Sequence, residues 1–237
     1  SPTQITVIEG ELIKEGLPVE EVQRLCNVHA EVFKGSLEEI HHPEQIPGHP
    51  IYTFKQENRA IEKHIEENVK ADLEKFKQDD SRENINSLIG SINLLWDIDK
   101  HYSRKENLVF PYLEKYNITA PPKVMWGVDD EIRAMIKDIK LSLTDYKGNK
   151  DEIVEKVNKA IHEIKEMIFK EENILFPMAL DTLTEDEWIS VYDDSDEIGF
   201  CLVEPETEWR RRITQASRET NLQAEKETIR GSEGHIK

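Results

Sequence analysis

Basic side chains are scarce in this chain: 31 Lys and Arg stand against 49 Asp and Glu, a formal net charge of −18. A field of that sign repels phosphate backbones and anionic lipid, so neither nucleic-acid nor membrane-surface binding is expected. Long apolar runs are missing too. None approaches the roughly 20 residues that a membrane-spanning helix needs, and no secretory signal is visible in the sequence as given. There are only two cysteines, Cys26 and Cys201, far apart and outside any C-x-x-C pattern. Reduced thiols in a cytoplasmic protein are the simplest expectation. Gly and Pro are sparse at ten each, against 34% charged and 37% hydrophobic residues. That balance speaks against a β-sandwich and for long amphipathic helices. Nucleophile elbow, phosphate loop and dinucleotide fingerprint are all absent from the sequence, so an enzyme is the weaker expectation.

What is present is a stretch written twice. Lys105–Pro111 reads K-E-N-L-V-F-P and Glu171–Pro177 reads E-E-N-I-L-F-P. Glu106 matches Glu172, Asn107 matches Asn173, and Phe110-Pro111 matches Phe176-Pro177, always 66 residues apart (172 − 106). An offset of that size is too long for a solenoid repeat and fits a duplicated helical hairpin. Each Pro stands where its helix is expected to kink or begin to end. Two such hairpins predict an all-α fold, an antiparallel up-down four-helix bundle with approximate internal two-fold symmetry.

Along the chain, apolar spacing predicts helices over residues 1–16 and 18–33, then a Pro- and His-bearing linker containing His41, His42 and His49. The first bundle helix is expected over 51–77, with Phe54, Ile61, Ile65, Val69 and Phe76 inward. Ser81 is an N-cap candidate for the second, which runs to about residue 116 with Leu88, Ile92, Leu95, Ile98, Leu108 and Tyr112 inward. Ala120-Pro121-Pro122 separates the hairpins. The third helix is expected over 123–146 on Met125, Val128, Ile132, Ile136, Ile139 and Leu143, and the fourth over 151–180 on Val154, Val157, Ile161, Ile164, Ile168 and Leu175. A short helix should start at Thr184, with Glu187 three residues on. Residues 198–203 read as a strand or an extended packing segment, and the chain after Arg210 as a polar tail, partly disordered or helical. The expected organisation is therefore N-terminal helices and linker at 1–45, the bundle at 46–190 and an extension at 191–237.

Hairpin geometry also predicts which residues meet. If the first two helices turn near residue 80, position n faces about 160 − n, which places His101 opposite Asn58 and Arg59. The same argument for the second hairpin sets Asp129 opposite Met167, and the duplication pairs His101 with Met167 (101 + 66). Asn58, His101, Asp129 and Met167 then form one layer. Glu106 and Glu172 lie about 7–8 Å further along at 1.5 Å per residue. Buried charge of this kind must be paired or metal-bound.

In H-Y-S-R-K-E-N-L-V-F-P (101–111), W-G-V-D-D-E-I-R (126–133) and M-I-F-K-E-E-N-I-L-F-P (167–177) the chain resembles the hemerythrin-like (HHE cation-binding) family. That family has a four-helix fold and a repeated H-x-x-x-E-E-x-x-L-F-P-like signature. The segments 19–36 and 47–50 are similar to a helical domain of unknown function that often precedes it, and a PAS sensory domain commonly follows. The resemblance implies a bound metal, non-haem iron or else manganese or zinc. Carried onto this chain, the ligands are His101, Glu106, Glu172 and Asp129, one His with three carboxylates, a feasible hard site. Where metal-binding members carry His, this chain has Asn58, Asp129 and Met167, so reversible oxygen carriage is not implied.

Three readings follow. The first is a metal-ion-binding protein for iron, oxygen or redox sensing or handling, with a PAS-type domain or another protein as downstream partner and a homodimer left open. The second is a metal-free interaction or regulatory module in which Lys105 and the carboxylates form a buried salt-bridge network, Glu171 being the expected partner of Lys105. The third is an iron-dependent oxidoreductase. His49 reads as a helix cap or an interdomain contact, His162 and Glu166 as an exposed pair, Tyr102 as a packed core residue and the four Trp as packing anchors.

Overall fold

The computed structural model describes residues 42–233. The predicted helices over 1–16 and 18–33, along with Cys26 and His41, lie outside the described residues. Contacts divide the chain into two compact units, 1–45 and 46–237. Of the first, only a short 3-10 turn at Pro43–Gln45 falls within the description.

The second unit is all-α, and no strand occurs among its described residues. Its helices are α1 (Pro50–His64), α2 (Lys70–Gln78), α3 (Arg82–Leu95), α4 (Ile98–Arg104), α5 (Phe110–Lys115), α6 (Ala120–Thr144), α7 (Lys150–Lys170), α8 (Phe176–Thr182), α9 (Glu185–Ile198) and α10 (Glu208–Glu233). They combine into four antiparallel rods. The first is α1 and α2, the second α3 to α5, the third α6, and the fourth α7 and α8. The core between them is Phe54, Ile61, Ile65, Val69 and Phe76 against Leu88, Ile92, Leu95, Ile98, Met125, Ile132, Ile136, Ile139, Leu143, Val157, Ile161, Ile164, Ile168 and Leu175, all buried. Spacings of three and four set these side chains on one face of each rod.

The ends follow from local chemistry. His49 Nδ1 accepts the Ile51 N–H (3.1 Å) ahead of Pro50 at the first turn of α1. Ser81 Oγ accepts the Asn84 N–H at the start of α3. The Ala120-Pro121-Pro122 stretch begins α6 instead of lying between helices, because Pro lacks an N–H only where the first turn has no use for one. Thr184 and Glu187 close a full capping box on α9.

The rods are joined internally by wider turns. π-helical turns occur at Ile65–Val69, Lys105–Val109 and Glu171–Leu175. The last two stand 66 residues apart, like the sequence they carry. Pro111 and Pro177 account for them: each lacks the N–H that would close an α turn, and its ring would press on the carbonyl four residues back. Widening the preceding turn avoids that clash, and the helix continues past each Pro to Lys115 and Thr182. Asn107 and Asn173 donate their side-chain amides to the carbonyls of Ser103 and Phe169, at 2.8 Å in both copies. The extra residue also explains a shift in the second rod. Val109 and Leu113 are buried in place of the expected Leu108 and Tyr112, which are only half-buried.

After α9 the chain leaves helical geometry at Gly199 (φ 92°) and Leu202 (φ 58°). Residues 199–203 form a bent, non-helical packing segment and neither a strand nor an extended stretch, with Cys201 fully buried. The stretch after Arg210 is the helix α10.

Candidate functional site: a buried ionic centre

His101 is the hub. The break between α3 and α4 at Trp96-Asp97 and the π turn beyond Arg104 hold α4 so that the His101 ring points into the bundle, fully buried. Nδ1 contacts Glu57 Oε2 at 2.9 Å and Nε2 contacts Glu171 Oε2 at 3.0 Å. Burial alone would depress the imidazole, but the Glu171 and Glu57 carboxylates outweigh it and hold the pKa up at about 9. The ring is therefore an imidazolium at neutral pH, donating from both nitrogens.

Lys105 sits beside it, one helical turn on. Its fully buried Nζ donates to Asp129 Oδ1 (2.9 Å) and Glu171 Oε1 (2.6 Å) and lies 4.4 Å over the Tyr102 ring. Burial would lower the ammonium pKa, yet Asp129 and Glu171 raise it. Glu171 in turn would be raised by burial but is held down at about 2 by Lys105 and His101. Asp129 is pushed up by burial, with Lys105 pulling it back and Glu171 and Glu106 pushing the same way as burial.

Glu57 closes the other side. Its Oε1 accepts from Arg104 Nη1 (2.6 Å) and from the Cys201 N–H (2.7 Å). The Arg104 guanidinium lies 4.4 Å from the ring centres of both Phe54 and Phe200, a cation held between two aromatic faces. Three cations (protonated His101, Arg104, Lys105) thus meet three carboxylates (Glu57, Asp129, Glu171), all fully buried. With Asp129 ionised the formal charges balance, the condition under which buried charge is tolerated. Because burial holds the Asp129 carboxyl up at about 7, that balance is complete only above neutral pH.

Of the residues singled out in the sequence, Asn58, His101, Asp129 and Met167 are all fully buried. Asn58 donates to Glu171 Oε2 (3.1 Å) and Glu172 Oε1 (3.3 Å). Glu106 is buried and bound on both oxygens by Arg133, at 2.8 Å each, while Arg133 Nε reaches Asp99 at 2.6 Å. Glu172 is at the bundle surface, paired with Arg59 at 2.5 Å. Lys105 and Glu171 pair as their sequence positions suggested. His162 and Glu166 are exposed, and Tyr102 is buried.

Sequence reasoning passed over Glu57, Arg104 and Arg133. Glu57 lay within reach of the same argument, because it stands three residues after Phe54 and four before Ile61, an inward spacing that its neighbour Asn58 shares.

The family comparison bears directly on this centre. Residues 49–179, more than half of the chain, match the model described as the hemerythrin HHE cation binding domain. The chain belongs to the hemerythrin HHE family. Residues 1–39 match a family of unknown function (DUF438). No curated protein matches the chain. For a family named for its cation, the donor set here is the question. A metal requires a neutral imidazole, and His101 has both nitrogens committed to carboxylates. Asp129 Oδ2 and Asn58 Oδ1 are the unpaired buried oxygens at the centre apart from the Tyr102 hydroxyl. Among the described residues, no three His, Cys, Asp or Glu side chains are grouped so that they could hold a metal ion. As arranged, these side chains do not fit a metal. They fit an ammonium, and Lys105 stands at the first Glu of the repeated H-x-x-x-E-E pattern, where the second copy keeps Glu171. No described helix is long and apolar enough to cross a membrane.

Proposed function

We propose that this protein is a hemerythrin-fold regulatory and interaction module whose central cation is supplied from within. The observation that carries the reading is Lys105 Nζ, buried between Asp129 and Glu171. In a symmetric duplication positions 105 and 171 are mates, and two glutamates there would face each other and demand a positive ion between them. A Lys at one of the two supplies that charge covalently. Its chemistry is then structural: it fixes the register of four rods and the segments packed on them, and function lies in what those segments contact.

A second reading keeps the bound metal, with His101, Glu106, Glu172 and Asp129 as ligands and iron, oxygen or redox sensing, in the cytoplasm, as the role. Family membership and the free acceptor on Asp129 Oδ2 favour it. It requires His101 to lose a proton and Lys105 to swing away. Elemental analysis of protein purified without an affinity metal separates the two. The internal-ammonium reading expects far less than one equivalent of iron, manganese or zinc, even after anaerobic Fe(II) reconstitution, and a marked rise in metal uptake in Lys105→Met. Near-stoichiometric metal in the unaltered chain would overturn it.

A further inference from the structure

The buried centre is tied to a segment far away in sequence. Glu57 divides its carboxylate: Oε2 faces His101, while Oε1 takes the Cys201 N–H together with Arg104. The next amide, Leu202 N–H, donates to Asp97 Oδ2 at 2.9 Å, and Asp97 also pairs with Lys100. Phe200 covers the Arg104 guanidinium. Consecutive amides of one segment are thus held by carboxylates from the first two rods, and its aromatic ring lies on the cation between them. The backbone that makes this possible is unusual: Leu202 has φ 58°, a left-handed conformation that a branched side chain keeps only while its surroundings enforce it.

Past this segment the chain is anchored a second time, in a different way. The Glu206 carbonyl lies so close to Gly48 that a Cβ there would approach it to 2.6 Å, and Trp209 N–H donates to Pro47 O at 2.9 Å. Trp209 also meets the His49 ring edge-on at 5.0 Å. These are backbone and aromatic contacts, indifferent to charge at the centre. The first turn of α10 is therefore held at a fixed post, and the segment leading into it is held by ions.

We propose that residues 199–203 form a latch that reads the ionic balance of the buried centre. The inference rests on the module reading above, for which it supplies the output. A change that removes charge from Glu57, or that turns its carboxylate by moving His101 or Glu171, weakens the Cys201 bond and uncovers Arg104. Relaxation at Leu202 then favours release of residues 199–203, while the first turn of α10 stays anchored at Pro47. The unbroken chain from Lys105 through Glu171, His101 and Glu57 to Cys201 makes the two ends interdependent, so the effect must also run backwards.

Cys201 is the natural reporter, because its fully buried thiol becomes reachable only if the latch opens. The test is the rate of iodoacetamide labelling at Cys201, read peptide by peptide in the full chain so that Cys26 is scored separately. Glu57→Gln is expected to label at least tenfold faster than the unaltered protein, with unchanged helical circular dichroism, and Lys105→Met should follow it. Leu73→Ala, in the apolar half of the first rod, serves as control and should label slowly at matched stability. Equal rates for Glu57→Gln and Leu73→Ala, or protection of Cys201 in Glu57→Gln, would overturn the latch. Should Glu57→Gln not fold, Phe200→Ala leaves every buried charge in place and tests the reverse direction. It is expected to move the His101 ring resonances in NMR spectra, and unmoved resonances would overturn the coupling. Metal analysis on the same samples keeps the two readings apart: bound metal in the unaltered chain removes the internal-ammonium reading, while the Cys201 rates still decide the latch.

Discussion

The two copies of the repeated stretch share a backbone and differ in chemistry. Both have a π turn, a Pro six residues after its start, and an Asn bonded back to the carbonyl four residues earlier. Yet one copy places His101 and Lys105 in the interior where the other places Met167 and Glu171. Glu106 is clamped by Arg133 inside the bundle, whereas Glu172 meets Arg59 at the surface. The repeat places the two sets of side chains at equivalent positions, and the residues there are complementary: cations on one copy, a carboxylate on the other. A symmetric fold thus carries an asymmetric centre, and it is the asymmetry that lets the centre balance its own charge.

Making the copies alike should do the most damage. Lys105→Glu removes the ammonium and adds a buried like charge, so the loss should exceed the ~3–5 kcal/mol typical of removing one partner from a buried pair. Thermal melts in chelator would read it, and added Mn(II) or Zn(II) should recover part of the loss. If neither changes, residue 105 is not what separates the copies.

Each copy also sets one limit of the pH range. His101 is held above its unfolded pKa, so its contribution is complete below about 6.5 and is lost as pH rises through 9. That decline is on the order of 2 kcal/mol between pH 7 and 10. Glu171 is held below its unfolded value, so its contribution is present above about 4.5 and is lost as pH falls toward 2. Denaturant midpoints across pH should fall at both ends, and His101→Gln should flatten the alkaline limb alone.

A smaller contrast separates the flanking glutamates. Glu106→Gln breaks a buried two-point bond to Arg133 and should cost about 1.5–3 kcal/mol, while Glu172→Gln at the surface should cost less than about 1 kcal/mol. Equal losses would mean that the copies are buried alike. The smallest effect expected is one of sameness: Asn107→Ala and Asn173→Ala should each cost about 0.5–1 kcal/mol, and a large difference between them would break the backbone symmetry inferred here.

Much of this was legible in the sequence. Apolar spacing identifies the rods and most of their buried residues, and the 66-residue offset leads to the Lys105–Glu171 pair. The hairpin register brought His101 to within one residue of its true neighbour, Asn58 against Glu57. Such arithmetic resolves a helical level but not the rotation that decides which of two adjacent side chains reaches inward. The π turns at 105–109 and 171–175 escaped because they depend on what Pro111 and Pro177 do to the turn before them, and apolar spacing does not record that. The packing of 199–203 escaped because its bonds come from backbone amides, which carry no residue signature.

The π turns bear on how this chain can change length. The turn at Ile65–Val69 holds one residue more than an α-helix needs to cover the same rise and has no Pro after it. Losing a residue there lets it close as ordinary helix while everything downstream keeps its face; at the other two, Pro111 and Pro177 oppose that closure. A deletion inside α6 has no such slack and would rotate all later side chains by about 100°. Insertions and deletions in related sequences should therefore collect at the turn 65–69, and be rare along the third rod and at the two turns that precede Pro111 and Pro177.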